Sequence, residues 1–479
     1  MEAWSDVVKL SNATLADLPA AIDRPDYDRA ALVPSIVHVG PGAFHRAHQA
    51  AYADAVLAHD PRWAISAMAL NSTDVADALR PQDGLYTLAL LGAETKWRVI
   101  GSIVELLTKA EGAAFAARIA APATRLVTAT VTEKGYCLTA DGGLDRDHPA
   151  IRRDLTDPAR PVSFVGRLVD GLGRRRAGGA GGLTVLSCDN LAGNGRRLSR
   201  AVGDYAAAID PDLAAWIAGE VRFPSSMVDS ITPATDDALR GTVAAAGIDD
   251  AWPIQREAFA QWVIEDDFVG ERPPFDLAGA QFVADVTGFE EAKLRLLNGA
   301  HSALAYLGLL LGHETVRDAM ADARLAGFVE RLMRDDIAPG LGDTPGLDVP
   351  AYIGAVLDRF RNPAIRHLLS QIAWDGSQKL PFRLFATILA ARRAGRPVDR
   401  LVVPVAAWLR FLALPRPPAP SLVDPLATRL AALAADPDAV VQDSGVFPPE
   451  LIGDATFRSA LAKAWSGLGD RAGIVDRLA

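Results

Sequence analysis

Up to about Gly288 the chain alternates short β-branched runs with helical stretches, and beyond that point only helical periodicity continues. That change of character restricts the fold more than any other feature. Ser35–Gly40, Trp63–Leu70, Arg125–Val131 and Leu183–Cys188 each read as a short buried strand, and Ala43–Leu57 reads as a helix following the first. Strands separated by helices imply a mostly parallel sheet covered on both faces. Leu294–Leu311, Val316–Met333, Pro350–Phe360, Leu380–Arg393 and Leu401–Leu414 carry helical spacing. The expected architecture is therefore an α/β domain over residues 1–285 and an all-helical domain over 286–479. Pro415–Pro420 reads as a stiff connector and Gly178–Gly182 as a flexible loop; no internal repeat is evident.

Composition narrows the classes. The 479 residues are 50% apolar and 23% charged, the balance of a packed chain of two or three domains. A formal charge of −10 argues against nucleic acid or an anionic membrane as partner. Cys137 and Cys188, the only cysteines, give neither a disulfide framework nor metal-ligand spacing, and the eight histidines show no paired-ligand motif. Met1–Leu10 has no charged-then-apolar leader, and no uninterrupted apolar run is long enough for a bilayer. The cytoplasm is the expected compartment.

Gly40-Pro41-Gly42 follows the first strand and opens a helix. In that context a Gly-x-Gly lets backbone approach a diphosphate at a helix N-terminus. His45 stands where the dinucleotide fingerprint has its third glycine, so a tight turn without ligand is an open alternative. The acid that holds the adenosine ribose comes late or is missing in Asn71-Ser72-Thr73-Asp74. NAD is the expected cofactor, with NADP left open.

The most informative stretch runs from Phe289 to Tyr306. At ~100° per residue Asn298 and His301 lie within ~60° of each other and Lys293 within ~80° of His301, on a helix otherwise rich in leucine and alanine. The chain holds only seven lysines among 49 basic residues. Oxidising an alcohol needs a base for the hydroxyl proton, and a desolvated lysine, ordinarily near ~10.4, is pulled toward that task. Asn298 would hydrogen-bond the developing alkoxide, His301 would hold a neighbouring hydroxyl, and Glu290, one turn earlier, would relay the proton. The alternative is a surface lysine with Asn and His satisfied inside the helix packing.

Gly40-Pro41-Gly42-Ala43-Phe44-His45-Arg46-Ala47-His48-Gln49 resembles the N-terminal signature of the polyol-specific long-chain dehydrogenase/reductase family, the mannitol dehydrogenase family. Lys293 with Asn298 and His301 resembles that family's Lys-x4-Asn-x2-His signature. Further marks are Gln82-Asp83-Gly84-Leu85-Tyr86-Thr87, Thr132-Glu133-Lys134-Gly135-Tyr136, Ser187-Cys188-Asp189-Asn190 with Asn194-Gly195, and Met227-Val228-Asp229 through Thr232-Pro233. They run in family order over nearly the whole chain. The resemblance implies a Rossmann-type N-terminal domain, a helical C-terminal domain with a cleft between them, and metal-free hydride transfer by a monomer. It implies Lys293 as general acid/base, Asn190 and Asn298 as the oxyanion site, and His301 as a substrate-positioning group. On the cofactor side it implies Gly40, Gly42 and Phe44, with Asp229 near the nicotinamide and Arg46 either near the phosphates or anchoring the turn.

The segment from Arg366 to Arg383 bears on the substrate. Mannitol 2-dehydrogenases usually show arginine where Gln371 stands and Pro-Lys-Phe near the end. Gln371-Ile372-Ala373 and Asp375-Gly376-Ser377-Gln378-Lys379-Leu380-Pro381 look like the fructuronate reductase (mannonate oxidoreductase) branch, from which Phe382 departs. A uronate carboxylate calls for cations, and Arg366, Lys379 and Arg383, with His367, are the candidates, a helix-end or surface role being the alternative for any one of the three cations. The expectation is interconversion of D-fructuronate and D-mannonate. The alternatives are a mannitol or arabinitol dehydrogenase and, more remotely, a non-catalytic nucleotide-binding protein.

Overall fold

Alternate side chains along Ile36–Val39 face opposite ways, and all four are buried. Such a strand is covered on both sides, and the computed structural model, which describes residues 7–416 and 419–478, shows what covers it. Six strands form one sheet: β1 (Ile36–Val39), β2 (Ile65–Ala69), β3 (Ile103–Thr108), β4 (Leu126–Ala129), β5 (Leu183–Ser187) and β6 (Val221–Arg222). Their order is β6-β5-β4-β1-β2-β3, and every neighbouring pair is parallel. This is the doubly wound dinucleotide-binding order, whose direction of winding reverses between β1 and β4. On one face Val37, Val39, Val127 and Val185 pack with Phe115, Leu168 and Leu198 from three helices. On the other, Ile36, Ile65, Leu126 and Leu186 pack with Ala50, Val56, Trp262 and Phe275.

The chain divides into two compact units, Met1–Thr287 and Gly288–Ala479. The first holds more than the parallel sheet. Tyr86–Leu91 and Lys96–Ile100 pair antiparallel, flanked by Ile254–Glu257 and Ile22–Asp23, and Ser226–Asp229, Gln261–Glu265 and Gln281–Val283 make a third sheet. The expected helix Ala43–Leu57 is two helices, Ala43–Ala47 and Gln49–Val56, because the His48 backbone leaves helical geometry at φ −117°, ψ −87°.

The second unit is helical throughout its described residues. Its central helix runs Thr287–Leu311, long and apolar enough to cross a membrane, yet 72% of its most apolar stretch is buried within the protein. It packs Leu304 and Leu307 into a core with Trp408, Phe411, Phe385 and Phe447. The expected helix Val316–Met333 is broken at Asp322, whose carboxylate accepts the Arg324 and Leu325 N–H groups and so starts a second helix at Ala323. Of the expected Pro-rich connector, Pro417 and Pro418 lie outside the described residues, while Arg416 donates to the carbonyls of Phe411, Leu412 and Pro420.

Candidate active site

The reversal between β1 and β4 leaves a crevice at their carboxyl ends, and Gly40 stands there at φ +89°. A Cβ on Gly40 would lie 2.3 Å from the Thr130 carbonyl oxygen, so the approach of β4 demands glycine. The Gly40 carbonyl in turn accepts from Thr130 Oγ1 at 2.7 Å and from the Gly42 N–H at 2.7 Å. Gly42 is different. Its backbone is ordinary, φ −70°, and an added Cβ would meet only the Gly40 oxygen, at 3.9 Å. The space left in front of Gly42 at the start of a helix fits the diphosphate of a dinucleotide.

His45, at the third-glycine position, lies beneath the turn and stacks on His38 with ring centroids 3.3 Å apart. Imidazole thus fills the gap that a glycine would close by tight helix–strand packing. Burial pushes the His38 pKa down to about 3 and that of His45 well below its usual value, so both rings are neutral. Phe44 is half-buried and stacks on His48. Arg46 requires a correction to the phosphate-neighbour reading. Its guanidinium lies in the core over the Trp252 and Tyr86 rings and donates to the Trp252 carbonyl at 2.9 Å, while Tyr86 donates to the Arg46 carbonyl. Its charged end is committed inward and anchors the turn.

Asp189, just past β5, is buried and accepts the N–H groups of Val131 and Thr132 at 3.2 and 2.8 Å and the Tyr136 hydroxyl at 2.7 Å. Burial raises its pKa, against the pull of those donors. The clamp holds Thr132 at φ +64°, rare for a β-branched residue, and shapes the turn after β4. Asn190 follows, exposed. Asn194 ties the same loop to the strand Ser226–Asp229, donating to the carbonyls of Asp189 and Ser226 and accepting the Ser226 N–H. Asp229 ends that strand, buried. After β2, Asn71–Asp74 are all exposed and precede the helix Asp74–Leu79.

In the second unit the central helix is not α-helical throughout. Lys293–Leu297 is a π-turn, closed by the Asn298 N–H donating to the Lys293 carbonyl. In an α-helix Lys293 and Asn298 would stand about 140° apart, five residues at ~100° each. An i→i+5 turn closes about once over those residues, bringing them to about 50° and placing Lys293 within about 10° of His301. The π-turn therefore gathers the trio onto one face more tightly than α-helical spacing does. Lys293, Asn298 and Glu290 are half-buried and His301 is buried.

Around His301 the unit assembles a cationic group. The His367 ring lies 5.1 Å away, nearly edge-on, and Phe360 lies 4.6 Å away. Arg383, carried on a second π-turn at Pro381–Phe385, donates to Ser302 Oγ at 3.3 Å and lies 3.5 Å from the Asn298 carbonyl oxygen. Lys379 Nζ donates to the Ile372 carbonyl at 3.4 Å. Among the described residues neither Lys379 nor Arg383 forms an ion pair within 4.0 Å. Burial, with the charges of Lys379 and Arg383, pushes the pKa values of both imidazoles down.

Residues 34–277 match the family model described as the mannitol dehydrogenase Rossmann domain, and residues 285–468 match that of the mannitol dehydrogenase C-terminal domain. The chain belongs to the mannitol dehydrogenase family, whose members are oxidoreductases. Within that family it is 41% identical to the D-mannonate oxidoreductase of Escherichia coli (strain K12), over 96% of this chain and 98% of the relative. It is 38% identical to the polyol:NADP oxidoreductase of Gluconobacter oxydans (strain 621H), over 84% of this chain and 85% of the relative. The solved ternary complex of Pseudomonas fluorescens mannitol 2-dehydrogenase with NAD and D-mannitol is similar in structure, with a TM-score of 0.82 and 37% identity over 98% and 99% of the two chains.

For this mannitol dehydrogenase family member, the first unit groups Gly40, Gly42 and Phe44 around one turn, and the second groups His301, His367, Lys379 and Arg383. Arg366 does not join them and is a second correction. It pairs with Glu314 on the surface at 2.5 Å, with both side chains about two-thirds exposed. An exposed pair of this kind contributes about 0–1 kcal/mol. Arg366→Ala should therefore leave KM for every substrate unchanged in steady-state assays; a tenfold rise would return Arg366 to the site. Asp189, Asn194 and Phe360 went unassigned in the sequence. Asp189 and Asn194 lie inside recognisable motifs, but what they hold becomes visible only when β4, β5 and Ser226–Asp229 are side by side.

Proposed function

We propose that this chain is an NAD-dependent, metal-independent oxidoreductase that interconverts a keto-sugar acid and its aldonate, D-fructuronate and D-mannonate. The observation that carries the reading is the pair Lys379 and Arg383, two half-buried cations with no ion-pair partner within 4.0 Å among the described residues, set beside His301 and His367. A neutral polyol gives such charges nothing to pair with; a carboxylate does. On this proposal residues 1–285 bind the dinucleotide and 286–479 the sugar acid. NAD, when bound, accepts or supplies the hydride. Gly40, Gly42 and Phe44 would hold it, with Asp229 toward the nicotinamide. Asp74 and Asp77 follow β2 with no lysine or arginine between Leu70 and Leu79, a setting that disfavours the 2′-phosphate of NADP.

Lys293 takes the hydroxyl proton in oxidation and returns it in reduction, with Glu290 as its relay toward water. The carboxamides of Asn190 and Asn298 donate to the oxygen while it carries negative charge, and His301 holds an adjacent hydroxyl. The relative named for D-mannonate supports the acid substrate. The complex of a relative with D-mannitol, together with Phe382, supports the second reading, a mannitol or arabinitol dehydrogenase. A cytoplasmic setting is part of the same proposal, and the family resemblance supports a monomer.

The test is NADH and NADPH consumption with fructuronate, tagaturonate, fructose and xylulose in parallel, with and without EDTA. A kcat/KM for fructuronate at least about tenfold above fructose, with NADH preferred and EDTA inert, is the expected result, tenfold being what one modest charge pair supplies. A preference for fructose establishes the polyol reading. No turnover despite quenching of protein fluorescence by NADH points to a binding protein.

A further inference from the structure

Among the described residues of the second unit three buried ring nitrogens have no hydrogen-bond partner: His301 Nε2, His367 Nδ1 and His313 Nε2, the last of which lies 3.6 Å from the Asp322 carboxylate, while the first two belong to neighbouring rings. Unpaired buried polar atoms are uncommon in folded proteins and call for a water, a ligand or a function. His301 is only 7% exposed, its ring 5.1 Å from that of His367. Charged and aromatic groups from several elements surround this pair. The helix Val349–Phe360 supplies Arg359 and Phe360, the short helix Gly376–Leu380 supplies Lys379, and the π-turn supplies Arg383, which Ser302 of the central helix holds through its Oγ. The acids Asp375 and Asp424 act on Lys379 and are not among the groups that act on either imidazole.

We infer that His301 and His367, with Lys379 and Arg383, form a carboxylate subsite that binds an anionic substrate end together with a proton. This rests on the sugar-acid reading above and makes His367 a specificity-determining residue. The physical basis is a change of sign. With the subsite holding no anion, burial and the neighbouring positive charges keep both rings neutral near pH 7. A carboxylate among the same groups cancels that repulsion and offers an acceptor, so one ring becomes a charged donor. Sugar carboxylates titrate near about 3.5 and stay ionised throughout the neutral range, so the proton comes from solvent. Affinity for the acid should then rise as pH falls from about 8 toward 6, by up to about tenfold per pH unit for one coupled proton. A neutral polyol in the same place leaves the pair unprotonated.

The experiment is calorimetric titration of the protein–NADH complex with D-mannonate and with D-mannitol at pH 7, in two buffers of different ionisation enthalpy. Mannonate should take up between about 0.5 and 1 proton and mannitol less than about 0.2. Comparing the two ligands removes any titration of Lys293, which both share. In His367→Gln the acid-to-polyol affinity ratio should lose most of its dependence on pH. Equal uptake for both ligands overturns the inference, and so does a His367→Gln ratio that keeps the slope of the unmodified protein. Tight mannonate binding with no uptake overturns the proton coupling while leaving the sugar-acid reading standing. Failure of both ligands to bind a complex that holds NADH sinks that reading and this one together.

Discussion

Lys293→Ala should lower turnover by about 10²–10⁴-fold, the range a positioned general acid/base supplies, while NADH affinity stays within about twofold. The glycine turn proposed to hold the cofactor belongs to the other unit, so loss of the amine is not expected to weaken cofactor capture. Stopped-flow reduction and quenching of protein fluorescence by NADH measure the two quantities separately. Small primary amines added to the variant should restore part of the lost rate, because they replace the missing proton acceptor and nothing else. Lys293 is half-buried and its truncation leaves the apolar core intact, so the midpoint of urea unfolding should move little. Normal turnover by this variant would remove Lys293 from the chemistry. A loss of rate with no amine rescue would make it a positioning group.

The two glycines of the turn should separate folding from ligand capture. Gly40→Ala forces a Cβ to within 2.3 Å of the Thr130 carbonyl and holds alanine at φ +89°. The clash and the left-handed backbone together should cost on the order of 3–5 kcal/mol, read as a drop in the unfolding midpoint. Gly42→Ala meets nothing closer than 3.9 Å and has an ordinary φ, so it should fold with a stability change within about 1 kcal/mol. The added methyl enters the space assigned to the diphosphate, and NADH affinity should fall at least about tenfold, since the second glycine of the fingerprint serves that approach. If Gly42→Ala binds NADH normally, the turn is a tight corner and the cofactor lies elsewhere.

Much of the fold was legible because it rests on local periodicity. Ile36–Val39, Ile65–Ala69, Leu126–Ala129 and Leu183–Ser187 are short, apolar and β-branched, and each was readable as a buried strand. Lys96–Ile100 was not, because Lys96, Trp97 and Arg98 are exposed or half-buried and break the apolar pattern, although its antiparallel partner Tyr86–Leu91 is largely buried. The helix break at His48 was equally hidden. It follows from His48 reaching the Gln261 carbonyl at 3.0 Å, more than two hundred residues away.

The site divides along the same line. Spacing was enough to associate Lys293, Asn298 and His301, since neighbours on a helix are fixed by the helix itself. The π-turn that aligns them was not foreseen, because an i→i+5 turn is a tertiary compromise with no sequence signature of its own.

By itself, then, the sequence determined the layers, the glycine corner and the lysine face, all consequences of interactions within a few residues. Only the tertiary structure decided which cations gather beside the imidazoles. Arg366 and Lys379 look alike as sequence, yet one sits on the surface against Glu314 and the other beside His367. That choice depends on where the helices Val349–Phe360 and Gly376–Leu380 lie against the central helix. Packing of that kind is set by contacts between residues far apart in the chain.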